Sequence, residues 1–391
     1  MAQRVYLDWN ATAPLRPEAR AAMLAALDLT GNPSSVHAEG RVARQVIEKA
    51  RESVAALVGG DARCVAFASG GTEANMLALS SGVGVPGAPR RDRLLVSGIE
   101  HPSVLAGGRF AADMVEQIAV TTDGYVDLSA LVERLATLAD EGVQAPLVSL
   151  MLANNETGVI QPAAEAAAVV HAAGGLLHVD AVQGAGRIPI DINALSADLL
   201  TISAHKIGGP KGVGALIRRH RDIDIDPLIK GGGQEQRLRA GTENVAGIAG
   251  FGAAAVAAHR DLEHGLGHIG ALRDRIEHNL SAAFPDIAIF GAGSTRIPNT
   301  TLFAASGVKA ETAVIALDLE GVAVSSGAAC SSGKVAPSHV LAAMGVAAEL
   351  ARGAIRISLG PTTKESDVEF FQNAWNKVLR PLLKETRTIA A

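Results

Sequence analysis

The chain has 391 residues, a net charge of −5, 48% hydrophobic and 19% charged residues, and only 3% aromatics. That length suits two or three domains, or one large domain with a smaller partner, and the scarcity of rings leaves the core to Ala, Val, Leu and Ile. The acidic balance argues against a nucleic-acid partner and gives no membrane-binding face, and no apolar run approaches the ~18–20 residues of a membrane span.

The N-terminal ten residues carry no long apolar run, so no secretory signal is read there. Cys64 and Cys330 then read as reduced thiols in the cytoplasm. Residues 41–58 place Val42, Val46, Ile47, Ala50, Val54 and Leu57 at helical spacing, with Gly59-Gly60 as the stop. Short apolar runs at 64–68, 94–96, 147–152, 176–179, 199–202 and 213–217 predict strands, with helical patterns at 73–79 and 163–173 among them. Such alternation predicts a mainly parallel sheet, buried on both faces, in an α/β domain. Beyond about residue 256 the pattern changes. A charged helix over 259–284 leads to strand-like runs at 300–303, 322–325 and 354–359, helices at 311–319 and 338–343, and a last helix from Lys364. That order predicts a smaller α+β domain. The division expected is 13–255 for the large domain, and 1–12 with 256–391 for the small one.

Several clusters close the predicted strands, where α/β proteins bind ligands. Ser69-Gly70-Gly71-Thr72-Glu73 stands between a strand and a helix, a place where free N–H groups and the positive end of the helix dipole attract an anion; alone it reads rather as a glycine turn with a Thr cap. His178-Val179-Asp180, with Gln183 beyond, ends another strand; a strand-end Asp is often only a turn residue. Ser203-Ala204-His205-Lys206 closes the next, and burial there would favour the neutral amine of Lys206, a nucleophile able to form an imine. With one helix-like segment between their strands, Asp180 and Lys206 fall on the same rim. Together they match pyridoxal 5′-phosphate, which needs a carboxylate against its ring nitrogen and a Lys for the imine. His101, in Glu100-His101-Pro102, could stack on a flat cofactor or shuttle protons. Asn155 lies in Asn154-Asn155-Glu156-Thr157-Gly158, either an ordinary turn or an amide aimed at a ligand. Cys330 sits in the small-residue run Ser325-Ser326-Gly327-Ala328-Ala329-Cys330-Ser331-Ser332-Gly333, expected to be exposed and mobile, whereas Cys64 is flanked by core residues. Arg356, on a strand read as half-buried, suits either a carboxylate clamp or a structural ion pair. The His residues show no ligand spacing, so no metal site is read.

Taken in order, the segment Tyr6-Leu7-Asp8-Trp9-Asn10-Ala11-Thr12 and the motifs at 69–73, 178–183, 203–206, 237–242 and 325–330 resemble the cysteine desulfurases of the NifS and IscS type, within the class-V aminotransferase superfamily. The resemblance implies the fold-type I architecture of pyridoxal-phosphate-dependent transferases, with a large, mainly parallel, seven-stranded sheet. It implies that Lys206 carries the cofactor, Asp180 pairs with the ring nitrogen, Gln183 bonds the ring oxygen and His101 stacks on the ring. Gly71, Thr72, Ser203 and His205 would hold the phosphate, and Thr242 would reach the phosphate in the other subunit of a homodimer. Asn155, also at the cofactor, and Arg356 would hold the carboxylate of L-cysteine, and Cys330 would take its sulfur as a persulfide for an acceptor or iron–sulfur scaffold protein. The long Cys330 loop resembles the NifS and IscS group, but the sequence to Ala391 lacks the longer tail with which IscS-type enzymes dock their scaffold. Aminotransferases, kynureninase-like hydrolases and selenocysteine lyases share the Asp180 and Lys206 logic without needing a Cys at 330.

Overall fold

A computed structural model describes residues 4–284, 286–327 and 338–389. The elements of the first part, in chain order, are β1 (Val5–Tyr6), α1 (Pro17–Leu27), α2 (Ala38–Leu57), β2 (Val65–Ala68), α3 (Gly71–Ala78), β3 (Leu94–Ser97), α4 (Pro102–Leu105), β4 (Val115–Ile118), α5 (Leu128–Asp140), β5 (Leu147–Met151), α6 (Ala163–Ala172), β6 (Leu176–Asp180), β7 (Leu199–Ser203), β8 (Gly214–Arg218) and α7 (Val245–His264). Strands β2 to β8 form one seven-stranded sheet in the order β2-β8-β7-β6-β5-β3-β4. Only β8 runs against its neighbours. The carboxyl ends of β2, β3, β5, β6 and β7 therefore share one rim.

The inner strands carry apolar residues on both faces because helices cover both. Ile47, Val54, Leu135, Val170 and Phe251 from α2, α5, α6 and α7 pack on one face with Phe67, Val148, Val179 and Ile202. Residues of α3 and α4 cover the other, against Ala66, Leu199 and Leu216 on one side and Leu94, Val96 and Leu147 on the other.

The second part holds α8 (Gly267–Ala283), β9 (Ile287–Phe290), β10 (Thr300–Ala305), α9 (Ala310–Leu319), β11 (Val322–Ala323), β12 (Ser325–Ser326), α10 (His339–Ala343), α11 (Ala348–Ala351), β13 (Ala354–Ser358) and α12 (Glu365–Ile389). An antiparallel sheet runs β12-β13-β10-β9, and β11 pairs with β1, so the N-terminal strand joins this core. Phe303, Phe371 and Trp375 fill it, with the Phe303 and Trp375 rings edge to face at 5.2 Å.

Four expectations are corrected. The charged helix over 259–284 is two helices, because Gly265 adopts φ +81° between α7 and α8. The run 322–325 splits, its first half pairing with β1 and its second with β13. Residues 181–198 between Asp180 and β7 form turns, not a helix. Strand β13 is buried along its whole length rather than on one face. Strand β4 escaped notice because Glu116 and Gln117 interrupt its apolar pattern; it is an edge strand, where charge is tolerated.

Trp375 is fully buried, and its indole N–H has no partner among the described residues. Trp375→Ala should cost ~3–5 kcal/mol in denaturant unfolding, whereas Trp375→Phe, which deletes the unpaired donor, should cost less than half as much. Equal losses would show that ring volume is not what this core requires.

Candidate active site

A cleft of about 270 Å³ opens at the rim of the large sheet. Asp180 ends β6, and the parallel β6–β7 pairing sets Asp180 beside Thr201, so the chain leaving β7 carries Ser203, His205 and Lys206 past the same carboxylate. Gly71 and Thr72 arrive from the start of α3, Asn155 from the turn after β5 and Gln183 from the turn after β6. His101 caps α4, which follows β3. Gly71, Thr72, His101, Asn155, Asp180, Gln183, Ser203, His205 and Lys206 all line this one cleft.

A polar chain fixes the carboxylate. Asn75 Nδ2 donates to Asp180 Oδ2 and to Ser103 Oγ, each at 2.9 Å. Ser103 Oγ lies 2.8 Å from His101 Nδ1, which also accepts from the Ser103 N–H at 3.1 Å. With Nδ1 accepting, a neutral His101 ring carries its proton on Nε2. Burial holds the His101 pKa below the ordinary value, and the Asp180 charge opposes that shift. Asp180 Oδ1 takes the Val182 N–H at 3.0 Å. Burial, helped by the charges of Lys206, Lys211 and Arg187, lowers His205 to about 4. Lys206 is half-buried in a single helical turn past the end of β7, and its Nζ donates to the carbonyls of Asn10 and, at 2.9 Å, Ala11.

Two expected residues lie elsewhere, and a third is not among the described residues. Arg356 is buried behind the Asn155 turn; Nη1 donates to the Asn155 carbonyl at 3.0 Å and Nη2 pairs with Asp8 at 2.8 Å. Thr242 is exposed in a separate cleft of about 290 Å³. Cys330 falls outside the described residues. Cys64 is buried, which raises its thiol pKa as expected of a core cysteine. Sequence reasoning overlooked Asn75 and Ser103. Asn75 lies one helical turn beyond Thr72 on α3, and that spacing was the available signal.

The model of the class-V aminotransferase family matches residues 5–371. The chain belongs to that family. It is 40% identical to the cysteine desulfurase IscS of Dictyoglomus turgidum, over 100% of this chain and 97% of the relative. It is 41% identical to a cysteine desulfurase of Cereibacter sphaeroides, over 99% and 98%. The NifS-like protein of Rickettsia africae superposes with a TM-score of 0.86 at 37% identity, over 97% of this chain and 100% of that structure. The cofactor of the family is pyridoxal 5′-phosphate, and the cleft fits it. An added Cβ on Gly71 would stand 3.1 Å from Val182 Cγ2, so that Val182 would have to give by a few tenths of an ångström, and at an ordinary contact distance of 3.6 Å from Ser203 Cβ. The first N–H groups of α3, which no helix can pair internally, join the hydroxyls of Thr72 and Ser203 as donors for a phosphate.

Replacing Asn75, which is 1% exposed, with Leu keeps the volume and removes the donor to Asp180. Apo protein titrated with pyridoxal phosphate should then bind ~10–100-fold more weakly, as for a lost charge-assisted hydrogen bond; unchanged affinity would sink this role for Asn75. Burial also raises Glu156 to about 7. Its carboxyl then stays uncharged in the fold up to about pH 7 while the unfolded chain ionises from about 4.5, so stability falls as pH climbs between those two values. Glu156→Gln should gain on wild type by up to ~3 kcal/mol between pH 4.5 and 8. A pH-independent difference would argue against the burial effect.

Proposed function

We propose that the chain is a pyridoxal-phosphate-dependent cysteine desulfurase that converts L-cysteine to L-alanine and holds the sulfur on Cys330 as a persulfide. The observation that carries this reading is the meeting of Asp180, Lys206, His101 and the phosphate donors of α3 in one cleft. Pyridoxal phosphate bound there supplies an electron sink for the charge that develops at the substrate Cα. Lys206 anchors the cofactor and, once its amine is free, takes the α-proton. Asp180, oriented by Asn75, holds the ring nitrogen protonated, Gln183 bonds the ring oxygen, and His101 stacks on the ring and helps move protons. Asn155, which lines the cleft, holds the substrate carboxylate together with Arg356 of the adjoining β13, whose Nη1 meets the Asn155 carbonyl and whose Nε has no partner among the described residues. The Cys330 thiolate attacks the substrate sulfur: an S–S bond forms and the Cβ–S bond breaks. The released electron pair and a proton complete the methyl group of alanine, and the sulfur stays on Cys330.

The same reading makes the protein a cytoplasmic homodimer that passes sulfur to an iron–sulfur scaffold or another acceptor protein, without nucleic acid or membrane. Exposed Leu15, Leu24 and Leu27 in and beside α1, and the exposed position of Thr242 away from the Lys206 cleft, support a subunit contact there. Among the described residues no helix is long and apolar enough to cross a membrane. The two largest buried clusters, one on each sheet, support a division into residues 13–255 and a second unit of 1–12 with 256–391, and a smaller cluster of Ile99, Met151, Leu302 and Leu341 joins the two.

Absorbance of the purified protein, with sulfide and alanine assayed after L-cysteine, tests the reading. Wild type should show the cofactor band and release both products, and Cys330→Ala should keep the band and lose turnover. Equal turnover in the variant would move the function to a lyase or aminotransferase on the same fold.

A further inference from the structure

Arg187 is 7% exposed and stands beyond Gln183 in the turn after β6. Its N–H donates to the Gly184 carbonyl at 3.0 Å, which folds the chain back and lets the guanidinium reach Gln183. Nη1 donates to the Gln183 carbonyl at 2.7 Å and to Gln183 Oε1 at 2.8 Å, and Nη2 donates to the Trp9 carbonyl at 3.4 Å. Burial, with Arg356 adding to it, lowers Arg187 to about 9, so the group is still a cation at neutral pH. Among the described residues no carboxylate pairs with it, and its acceptors are neutral oxygens. A buried cation with neutral partners alone is costly to keep.

What this cation supplies is direction. A guanidinium has only donors, so the end of the Gln183 amide that faces it is the oxygen. The amide nitrogen is thereby turned the other way. There Nε2 donates to the Asn10 carbonyl at 3.1 Å, and the same carbonyl accepts from Lys206 Nζ. The two nitrogens share one acceptor, and both side chains line the cleft. Among the described residues Nε2 donates to nothing else, so its second hydrogen is left for a ligand. In pyridoxal phosphate the ring oxygen is attached next to the carbon that bonds to lysine. A donor close to Lys206 Nζ therefore suits that oxygen. An amide turned end for end would place an acceptor there and set its own donors against Arg187.

We propose that Arg187 is a positioning residue for the cofactor: from behind the cleft it fixes the Gln183 amide so that the N–H, not the carbonyl, faces the ring oxygen. This rests on the reading of the cleft as a pyridoxal-phosphate site with Gln183 at that oxygen.

The test titrates the full chain, stripped of cofactor, with pyridoxal 5′-phosphate and with 3-deoxypyridoxal 5′-phosphate, which lacks the ring oxygen. Both probes use the same phosphate donors and Lys206. The ratio of their affinities therefore reports the ring-oxygen contact even where a variant has lost part of its fold. Arg187→Met keeps an unbranched side chain without donors; it should bind pyridoxal phosphate ~10-fold more weakly and change binding of the analogue by less than about threefold, as for one lost polar contact. Gln183→Leu should show the same pattern, and the double variant should lose no more than either single one, as expected of groups acting as a unit. Arg187→Lys, also a donor-only cation, should recover part of the preference. Equal weakening of both probes in Arg187→Met would give Arg187 a purely structural role and overturn the proposal, as would unchanged binding of both. A ratio shifted by Gln183→Leu but not by Arg187→Met would leave Gln183 at the ring oxygen and remove only the role of Arg187. A wild-type ratio in Gln183→Leu would instead show that the ring-oxygen assignment fails, and the proposal with it.

Discussion

Asn10 is the joint on which the two sheets and the cleft depend. It is 1% exposed, and every polar group it has is used. Its backbone N–H donates to Ser358 Oγ at 2.9 Å, and its Nδ2 donates to Thr300 Oγ1 at 2.9 Å and to the Asn155 carbonyl at 3.1 Å. Its Oδ1 accepts from Asn299 Nδ2 at 3.1 Å. Its carbonyl takes Gln183 Nε2 at 3.1 Å and Lys206 Nζ. One residue thus ties β10 and β13 of the small sheet to the turns after β5, β6 and β7 of the large one. An unmet group at this seam would carry a desolvation cost of ~1–3 kcal/mol, so the arrangement is close to all-or-none. The short N-terminal strand matters for the same reason: β1 pairs with β11 and Leu7 enters the small core, and that anchoring delivers Asn10 to the seam.

Around the joint, desolvation sets which groups carry charge. Burial raises Glu100 well above the ordinary carboxyl value, opposed by the Met151 N–H that donates to its Oε1 at 2.7 Å and helped by the Asp180 charge. His178, buried under the cleft between Ser149 and Thr201, is pushed to about 4 and stays neutral. Arg187 is lowered to about 9, by burial and by Arg356. Its Nη1 donates to both the backbone and side-chain oxygens of Gln183, at 2.7 and 2.8 Å, and so orients an amide facing the cleft.

Most of the cleft was legible because its residues lie at strand ends, and strands buried on both faces announce themselves as apolar runs. Asp180 and Lys206 could be paired from sequence because parallel neighbours send their carboxyl ends to the same rim, and the absence of a helix between β6 and β7 does not disturb that logic. Asn75 and Asn10 were not legible as site residues. One lies inside a helix and the other near a chain end, and their importance comes from partners as distant as Asp180 and Ser358. Arg356 was read on the correct strand but given one open face. Its surroundings, Asp8 and the Asn155 turn, belong to segments hundreds of positions away, and strand periodicity carries no information about them. The break at Gly265 was visible as a glycine, yet the charged residues on both sides kept a helical rhythm across it.

The buried pair of Arg51 and Glu235 shows how the same chain holds a strained segment. Glu235, Gln236 and Arg237 all adopt positive φ, at 46°, 57° and 70°, which costs on the order of 1–3 kcal/mol for each non-glycine residue. The offset is local. Glu235 accepts from Arg51 Nη1 and Nη2 at 2.7 and 3.0 Å and from the Phe67 N–H at 2.8 Å, while Arg51 lies over the Phe67 ring at 4.8 Å. A carboxylate receiving three donors in a dry site is well matched, and removing Arg51 would leave it buried without its cation, whereas Arg51 would still have Glu48 at 3.3 Å. The strain therefore has to be maintained for what it presents. The turn aims Arg239 at Glu73, 3.1 Å away, while Glu73 Oε2 takes the Ser69 N–H at 2.8 Å at the turn that leads into α3. Thr242 follows three residues later on the outer surface. The covalent path from β2 through Gly71 and the strained path through Glu235 thus reach the same helix start from opposite sides, which couples the exposed Thr242 segment to the groups that would hold the cofactor phosphate.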